Sequence, residues 1–384
     1  MLSDKGNQLS RLMPPLLLTT LLCFVVGILL PHLLPVAPSA PLHLILAIGI
    51  MPLIFAAMIY FVPVLTRSGA PESKVLLNVI GGLLAGIILA ISLFLIFRLY
   101  LLAAVIALLA VGGLSNWMHQ RAKQTFGTPH PGLLWYRLAL LMLGLALAAI
   151  IIGSLWSQQW LGLRRLHLHL NILGFVGLTA LGTLRVLLPT VGGFQDQQAG
   201  PWLMREWRLL VAGTILIATG AAWLPIISLA GLILWLIPLG KLAYSMLWQQ
   251  RKDLWRSNGA APSLSIAITG LIISLALGAV HGMGWLTTTH MSELFILMFL
   301  MPLVSGAATH LLPLWLWPGA QAEQQADSRH ILGRFALARS LFFMLSAILL
   351  IVELPWSWTP AMIAMVQFIL VAIRQTMIAN TRST

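Results

Sequence analysis

Long apolar segments alternate with short polar loops along the whole chain. Runs of 18 or more apolar residues recur throughout, and about 20 such residues in a helix span the hydrocarbon layer of a membrane. We therefore predict an all-α integral membrane protein, a single transmembrane domain over residues 1–384 with about twelve spans. The predicted spans are 12–34, 40–65, 73–96, 98–117, 134–155, 166–190, 206–223, 225–247, 262–284, 290–315, 333–353 and 357–379.

The pattern repeats three times. Three segments open with a potential metal ligand and reach a proline 20 positions later: His43 to Pro63, His169 to Pro189 and Glu293 to Pro313. The openers are 126 and 124 residues apart, and three glycines late in the preceding spans, Gly27, Gly153 and Gly278, are 126 and 125 apart. A fixed period indicates a repeated structural unit. We predict three pseudo-symmetric sets of four helices, over residues 12–117, 134–247 and 262–379.

Composition and charge agree with a lipid environment. The chain is 59% hydrophobic and 8% charged, with a mean hydropathy of +0.95. The net charge of +13 comes mainly from loops on one predicted side, which is the positive-inside bias. We predict cytoplasmic termini, a multi-pass location in the bacterial inner membrane, no cleaved signal peptide and no nucleic-acid partner. The lone Cys23 allows no disulfide within the chain.

Histidines gather at the predicted outer ends of the spans. Six of the ten do so: His32, His43, His167, His169, His281 and His290. An ionisable side chain at membrane depth is a functional candidate, and imidazole is a good ligand for haem iron and copper. The alternative interpretation is that these histidines are polar anchors in the headgroup region.

The spacing of these residues limits how they share a site. His167 and His169 point about 200° apart on a regular helix. They would serve two cofactors, or His169 would face inward while His167 meets the headgroups. His290 and Glu293 are three residues apart and share a face. Asn171 is expected to form a helix–helix hydrogen bond.

Arg164 and Arg165 immediately precede this His-x-His motif. They lie on the predicted outer side, which otherwise has few basic residues. Two explanations remain open: contact with lipid headgroups, or charge-assisted hydrogen bonds to carboxylates such as haem propionates.

These features resemble subunit I of the haem-copper oxidase superfamily, whose members reduce oxygen or nitric oxide. The similarity rests on twelve helices in three sets and on histidines at the outer ends of the second and sixth. The segment HLILAIGIMPLIFAAMIYFVP, from His43, is similar to the second-helix haem-ligand motif. HLHLNILGFVGLTALGTLRVLLPT, from His167, looks like a motif of oxidase-like orphan membrane proteins. The chain also resembles, more loosely, NnrS-type proteins of the nitric oxide response.

The resemblance implies a cofactor and roles for individual residues. His43 would be an axial ligand of a haem, most simply b-type, with His169 or His290 as the opposite ligand. The remaining outer histidines would supply a copper site, if copper is bound. Glu293 would ligate or hydrogen-bond a metal site with His290, or donate a proton to the substrate; the alternative is a hydrated interfacial carboxylate. The electron donor would be a separate cytochrome or a quinone, and an enzyme of this kind would be an oxidoreductase acting on nitric oxide or oxygen.

Departures from the superfamily argue against a proton-pumping oxidase. The seventh span, WRLLVAGTILIATGAAWL, has no histidine pair for copper, and Leu173 and Phe175 occupy the region of the superfamily's sixth-helix tyrosine. We also expect no carboxylate in the inner half of a span, so no proton channel can be traced. Two other functions stay open: a membrane transporter for copper, haem or a small solute, and a structural subunit.

Overall fold

The computed structural model describes residues 4–286 and 288–382, without the side chains of 4–7, 97, 288–290 and 382. Throughout these residues the regular structure is helical, which confirms the prediction of an all-α protein. Eleven helices in this part of the chain are long and apolar enough to cross a membrane. They are α1 Gln8–Leu33, α2 Ser39–Leu65, α3 Ser73–Phe94, α4 Tyr100–Lys123, α5 Gly132–Leu155, α6 Ser157–Gly192, α8 Pro225–Trp248, α9 Ala261–Gly282, α10 Met291–Leu316, α11 Ala322–Ile351 and α12 Thr359–Thr381.

The seventh predicted span is also a helix, α7, which covers Ala199–Ala222. It is not among the eleven apolar helices, and its first half carries Arg205, Glu206 and Arg208. Glu206 is fully buried, and its carboxylate lies 2.6 Å from Nε of Arg205. The expectation of no carboxylate in the inner half of a span is therefore wrong at this position.

The described chain forms two compact units whose boundaries fall inside α2, α6 and α8. The central unit consists of Leu46–Leu187 and Gln195–Gly240. The terminal unit consists of the residues up to Ile45, Leu188–Phe194 and the residues from Lys241 onward. These units do not follow the limits of the three predicted repeats.

In the central unit, helices that are neighbours in sequence pack together. α3 packs on α2 and α4, α5 packs on α4 and α6, and α6 packs on α7. Tryptophan N–H groups connect some of these helices, because an indole donor buried in an apolar interior needs an acceptor. Trp135 of α5 donates to the carbonyl of Leu203 at 2.9 Å, and Trp235 of α8 donates to Thr214 Oγ1 at 3.0 Å.

In the terminal unit, α1 packs on α10 and α12, and α9 packs on α10 and α11. The helix α11 is interrupted at Arg334 and Phe335, and Phe335 adopts a left-handed backbone with φ of 64°. The loop before α9 closes on this interruption, where Gly259 N–H donates to the carbonyl of Gly333 at 2.9 Å. A Cβ on Gly333 would lie 2.8 Å from the backbone of Gly259, so the close approach requires glycine.

The contact between α5 and α6 recurs between α9 and α10. In the first pair, Gly182 faces Trp135, and Gly174 faces Met142. In the second pair, Ser263 faces Gly306, and Gly270 faces Met298. The α9 residues lie 128 positions after their α5 counterparts, and the α10 residues lie 124 positions after their α6 counterparts. The small residues common to the predicted repeats thus lie where a neighbouring helix comes close.

The three glycines spaced 126 and 125 residues apart do not share one environment. Gly27 contacts Ile45, and Gly153 contacts Trp160, so both lie against the helix that follows. Gly278 has no described atom within 4 Å of its Cβ position.

Candidate functional site

The two histidines in equivalent positions of α2 and α6 hold their rings in the same way. His43 and His169 are both half-buried. Nδ1 of His43 lies 2.7 Å from the carbonyl oxygen of Ser39, and Nδ1 of His169 lies 2.9 Å from that of Arg165. In each case the carbonyl belongs to the residue four positions earlier, so each helix orients its own histidine.

This hydrogen bond fixes the protonation of the ring. A carbonyl oxygen can only accept, so Nδ1 must carry the hydrogen, and the lone pair of the neutral ring lies on Nε2. Histidines that ligate metals usually donate their other N–H to a backbone carbonyl or a carboxylate in this way. The chemistry of His43 and His169 therefore fits an axial ligand of haem iron through Nε2.

Each of the three candidate openers is followed by a π-helical segment. These segments are Leu44–Ile50 after His43, Leu170–Gly177 after His169 and Ile296–Leu300 after Glu293. The sequence period is thus accompanied by a period in backbone geometry, with π segments that begin 126 residues apart. A further π segment, Tyr244–Trp248, closes α8. The π-helix is rare and is found frequently at functional sites.

Two of these π segments end immediately before a Met-Pro pair. Pro52 follows the segment in α2, and Pro302 follows the segment in α10. Proline has no N–H to donate and clashes with the carbonyl four residues earlier, which opens the helix. A neighbouring helix approaches the opened backbone through glycine: Gly86 lies against Ala47, and Gly270 lies against Met298.

His167 faces a neighbouring helix. Its Nδ1 lies 2.9 Å from the carbonyl oxygen of Ala146 in α5, so a contact between two helices orients this half-buried ring. Asn171 donates to the carbonyl of His167 in its own helix at 2.8 Å. The helix–helix hydrogen bond expected of Asn171 is therefore made by His167.

Two further histidines of the predicted outer set lie in the terminal unit. Nδ1 of His281 is 2.8 Å from the carbonyl oxygen of Leu286, so this half-buried ring also has its lone pair on Nε2. His32 is exposed at the end of α1, with its ring centroid 5.6 Å from that of Trp358. An exposed ring beside a tryptophan is typical of an interfacial anchor.

The third predicted opener is described only in part. The side chain of His290 lies outside the described residues, so the pairing of His290 with Glu293 has no structural description. Glu293 is half-buried, on the last helical turn before the π segment of α10. In the central unit, Arg164 and Arg165 are both exposed.

Among the described residues, no group of three or more His, Cys, Asp and Glu side chains comes together as a metal-ion site would require. A haem iron takes one or two protein ligands, so the fit of His43 and His169 does not depend on such a group.

Several charged side chains that the sequence pattern did not single out are removed from solvent at the other ends of the helices. Arg185 and Asp196 form a buried ion pair in the central unit, with the Arg185 guanidinium 5.8 Å from the ring of Trp202. Arg339 is buried in the terminal unit. An arginine within an apolar run is an unusual signal, and it could have identified Arg185 and Arg339.

In comparisons with known proteins, the chain matches no family model and no curated protein.

Proposed function

We propose that this chain is a haem-binding integral membrane protein of the haem-copper oxidase type, acting in redox or nitric oxide chemistry without proton pumping. The observation that carries the proposal is the shared arrangement of His43 and His169. Two half-buried imidazoles, 126 residues apart, are each oriented by their own helix for ligation through Nε2 and are each followed by a π segment.

The proposal assigns roles to the outer residues. His43 holds the iron of a b-type haem, with His290 as a candidate for the opposite ligand, and His169 is the corresponding candidate ligand in the central unit. When bound, the haem supplies a redox-active iron to which a small diatomic molecule can bind. The exposed guanidinium groups of Arg164 and Arg165 are suited to hydrogen-bond the propionates. His32, His167 and His281 are the remaining imidazoles for copper, and electrons come from a separate cytochrome or from a quinone.

The membrane arrangement is part of the same proposal. Twelve spans in three quasi-equivalent sets, with both termini in the cytoplasm of a bacterial cell, follow from the period and from the charge bias. The matching α5–α6 and α9–α10 contacts support the repeat. The eleven apolar helices support the lipid environment.

The test is the absorption spectrum of the purified protein. A haem protein has a Soret band, and elemental analysis of the same sample measures iron and copper. Replacing His43 by alanine should abolish or shift the band. Replacing His119 or His330, which lie away from the predicted outer ends, should leave it unchanged.

Two other outcomes of these measurements would contradict all or part of the proposal. The proposal would be contradicted, and the transporter favoured, if the purified protein is colourless and still shows no protein-bound Soret band after incubation with haem and removal of the excess. Equal haem content in the His43, His119 and His330 variants would remove His43 as the ligand while leaving haem binding in place.

A further inference from the structure

A buried arginine in the terminal unit has no carboxylate partner among the described residues. Arg339 lies on the first turn after the interruption of α11, with 3% of its surface exposed. Nη1 lies 3.4 Å from the carbonyl oxygen of Leu332, and Nη2 lies 3.3 Å from Thr309 Oγ1. The Nε atom is buried and has no hydrogen-bond acceptor in the described structure.

The contacts of Arg339 do not balance its charge. Both bonds are long, and both acceptors are neutral. The ring of Phe368 lies 4.1 Å from the guanidinium carbon and covers one face of the group. A cation–π contact is favourable, but the charge of a buried cation is normally matched by an anion.

The central unit shows what a matched site looks like in this chain. Arg185 is buried to the same degree, and it forms an ion pair with the carboxylate of Asp196. Arg185 lies 16 residues after His169, and Thr309, which accepts from Arg339, lies 16 residues after Glu293. A guanidinium group thus lies 16 residues after the predicted metal ligand in both α6 and α10: that of Arg185 itself in α6, and that of Arg339 beside Thr309 in α10. Only Arg185 has a carboxylate partner among the described residues.

The open edge of the group indicates what it would bind. Arginine recognises planar oxyanions with two parallel N–H donors, and Nε with the adjacent Nη2 forms one such edge. Since Phe368 covers a face, an anion must approach in the guanidinium plane. Nη2 also donates to the hydroxyl of Thr309, which itself donates to the carbonyl of Ser305 at 2.8 Å.

We propose that Arg339 is the centre of a binding site for a small planar monovalent oxyanion, of the carboxylate or nitrate class. Two N–H donors of Arg339 hold the anion in the guanidinium plane. The exposed residues Arg334 and Phe335 lie only four to five positions before Arg339 in the sequence. This site is separate from the proposed haem ligands and does not depend on them.

The test uses the full-length protein in detergent and measures its melting temperature by tryptophan fluorescence. Sodium formate or sodium nitrate replaces sodium chloride at constant ionic strength. A ligand that binds only the folded state stabilises it in proportion to the logarithm of its concentration above Kd. We expect the melting temperature to rise with formate and with nitrate, relative to chloride.

Three variants locate the effect. Arg339→Met should abolish the rise and should not lower the melting temperature in chloride, because an apolar side chain replaces an unmatched buried charge. Arg339→Lys keeps the charge but lacks the two-donor edge, so it should lose the preference for formate over chloride. Arg334→Gln, which changes an exposed arginine of the same loop, should keep the full rise.

Several results would overturn the site. Equal melting temperatures of the wild type in formate, nitrate and chloride would do so even if no Arg339 variant folds. An undiminished formate effect in Arg339→Met would place anion binding elsewhere. Loss of stability in Arg339→Met, without any anion dependence in the wild type, would make Arg339 a purely structural residue.

Discussion

Arg185 of α6 and Asp196 of the following loop form an ion pair that is almost completely removed from solvent, with side-chain exposures of 1% and 10%. Asp196 also accepts from the N–H of Gln198 at 2.9 Å, directly before α7. Trp202 lies beside the guanidinium and stacks on Trp135 at 5.3 Å. The pair therefore connects the end of α6 to the beginning of α7 within the central unit.

We expect the charge of Asp196 to matter more than its shape. Asp196→Asn keeps an oxygen for the Gln198 N–H but takes the carboxylate away from buried Arg185, which should cost about 3–5 kcal/mol of unfolding free energy. Adding Arg185→Met to that variant should recover most of the loss, because no buried charge then remains. Thermal unfolding of the two single variants and the double variant measures the coupling. Simple addition of the two losses would show that the residues act independently.

A second arginine holds the loop between α2 and α3. Arg121 is buried, donates to the carbonyls of Gly69 and Ala70 at 3.2 and 3.1 Å, and lies 2.7 Å from Glu72. We expect Arg121→Gln to destabilise the protein by about 2–3 kcal/mol, since two loop carbonyls lose a charged donor. Glu72→Gln should cost less than about 1 kcal/mol, because this carboxylate is 58% exposed. Equal losses in the two variants would mean that the ion pair, and not the loop carbonyls, is what stabilises the loop.

His130 makes the stability of the loop before α5 depend on pH. Burial lowers the pKa of His130, and its Nδ1 accepts from the N–H of Gly132 at 3.1 Å, which requires an unprotonated nitrogen. The folded pKa is therefore below the unfolded value of about 6.5, so the unfolded chain binds more protons between the two. We expect stability to fall as the pH drops below about 6.5.

The measurement for His130 is the melting temperature between pH 8 and pH 5. His130→Asn has an amide oxygen that can accept from Gly132 and that does not titrate in this range, so its melting temperature should fall less. His119→Asn changes an exposed histidine of α4 and should behave like the wild type. An identical pH profile for His130→Asn and the wild type would exclude His130 as the cause.

The close approach of α9 to the π segment of α10 gives a matched pair of glycine variants. A Cβ on Gly270 would overlap the carbonyl of Met298, which is the residue four positions before Pro302. Gly270→Ala should therefore cost about 2–3 kcal/mol. Gly278→Ala, two turns later on the same helix, has open space and should stabilise by up to about 1 kcal/mol. Equal unfolding free energies for the two variants would show that α9 and α10 do not approach closely at Gly270.

The sequence predicted the helices well because their signal is local. Apolar runs of about 20 residues marked the eleven apolar helices of the described chain. The predicted span 206–223 falls on α7, where the burial of Glu206 was not predicted. Hydrophobic patterns do not distinguish α from π turns, so the π segments after His43, His169 and Glu293 were not predicted.

The directions of individual side chains were harder to predict. The hydrogen bond between His167 and the backbone of Ala146 in a neighbouring helix was not predicted. Such a contact depends on how two helices are packed, which one sequence does not specify. The same holds for Arg339, whose lack of a carboxylate partner appears only once α10, α11 and α12 are assembled.

Glu293 is the residue on which the proposed chemistry can be tested most directly. It is half-buried on the turn before the π segment of α10, and it lies 20 residues before Pro313, as His43 and His169 lie before Pro63 and Pro189. A carboxylate at membrane depth is costly unless it is paired or functional. In the proposed site it ligates or hydrogen-bonds a metal, or it donates a proton to a substrate at the haem.

Glu293→Gln keeps the shape of the side chain and removes its ability to donate a proton. If Glu293 is the proton donor, nitric oxide consumption by the reduced protein should fall about 100-fold or more, since a general acid contributes 10²–10⁴ in rate. The haem content should stay the same. Glu353→Gln changes an exposed carboxylate of the terminal unit and should keep full turnover. A Glu293→Gln protein with unchanged metal content and unchanged turnover would leave Glu293 as an interfacial polar residue only.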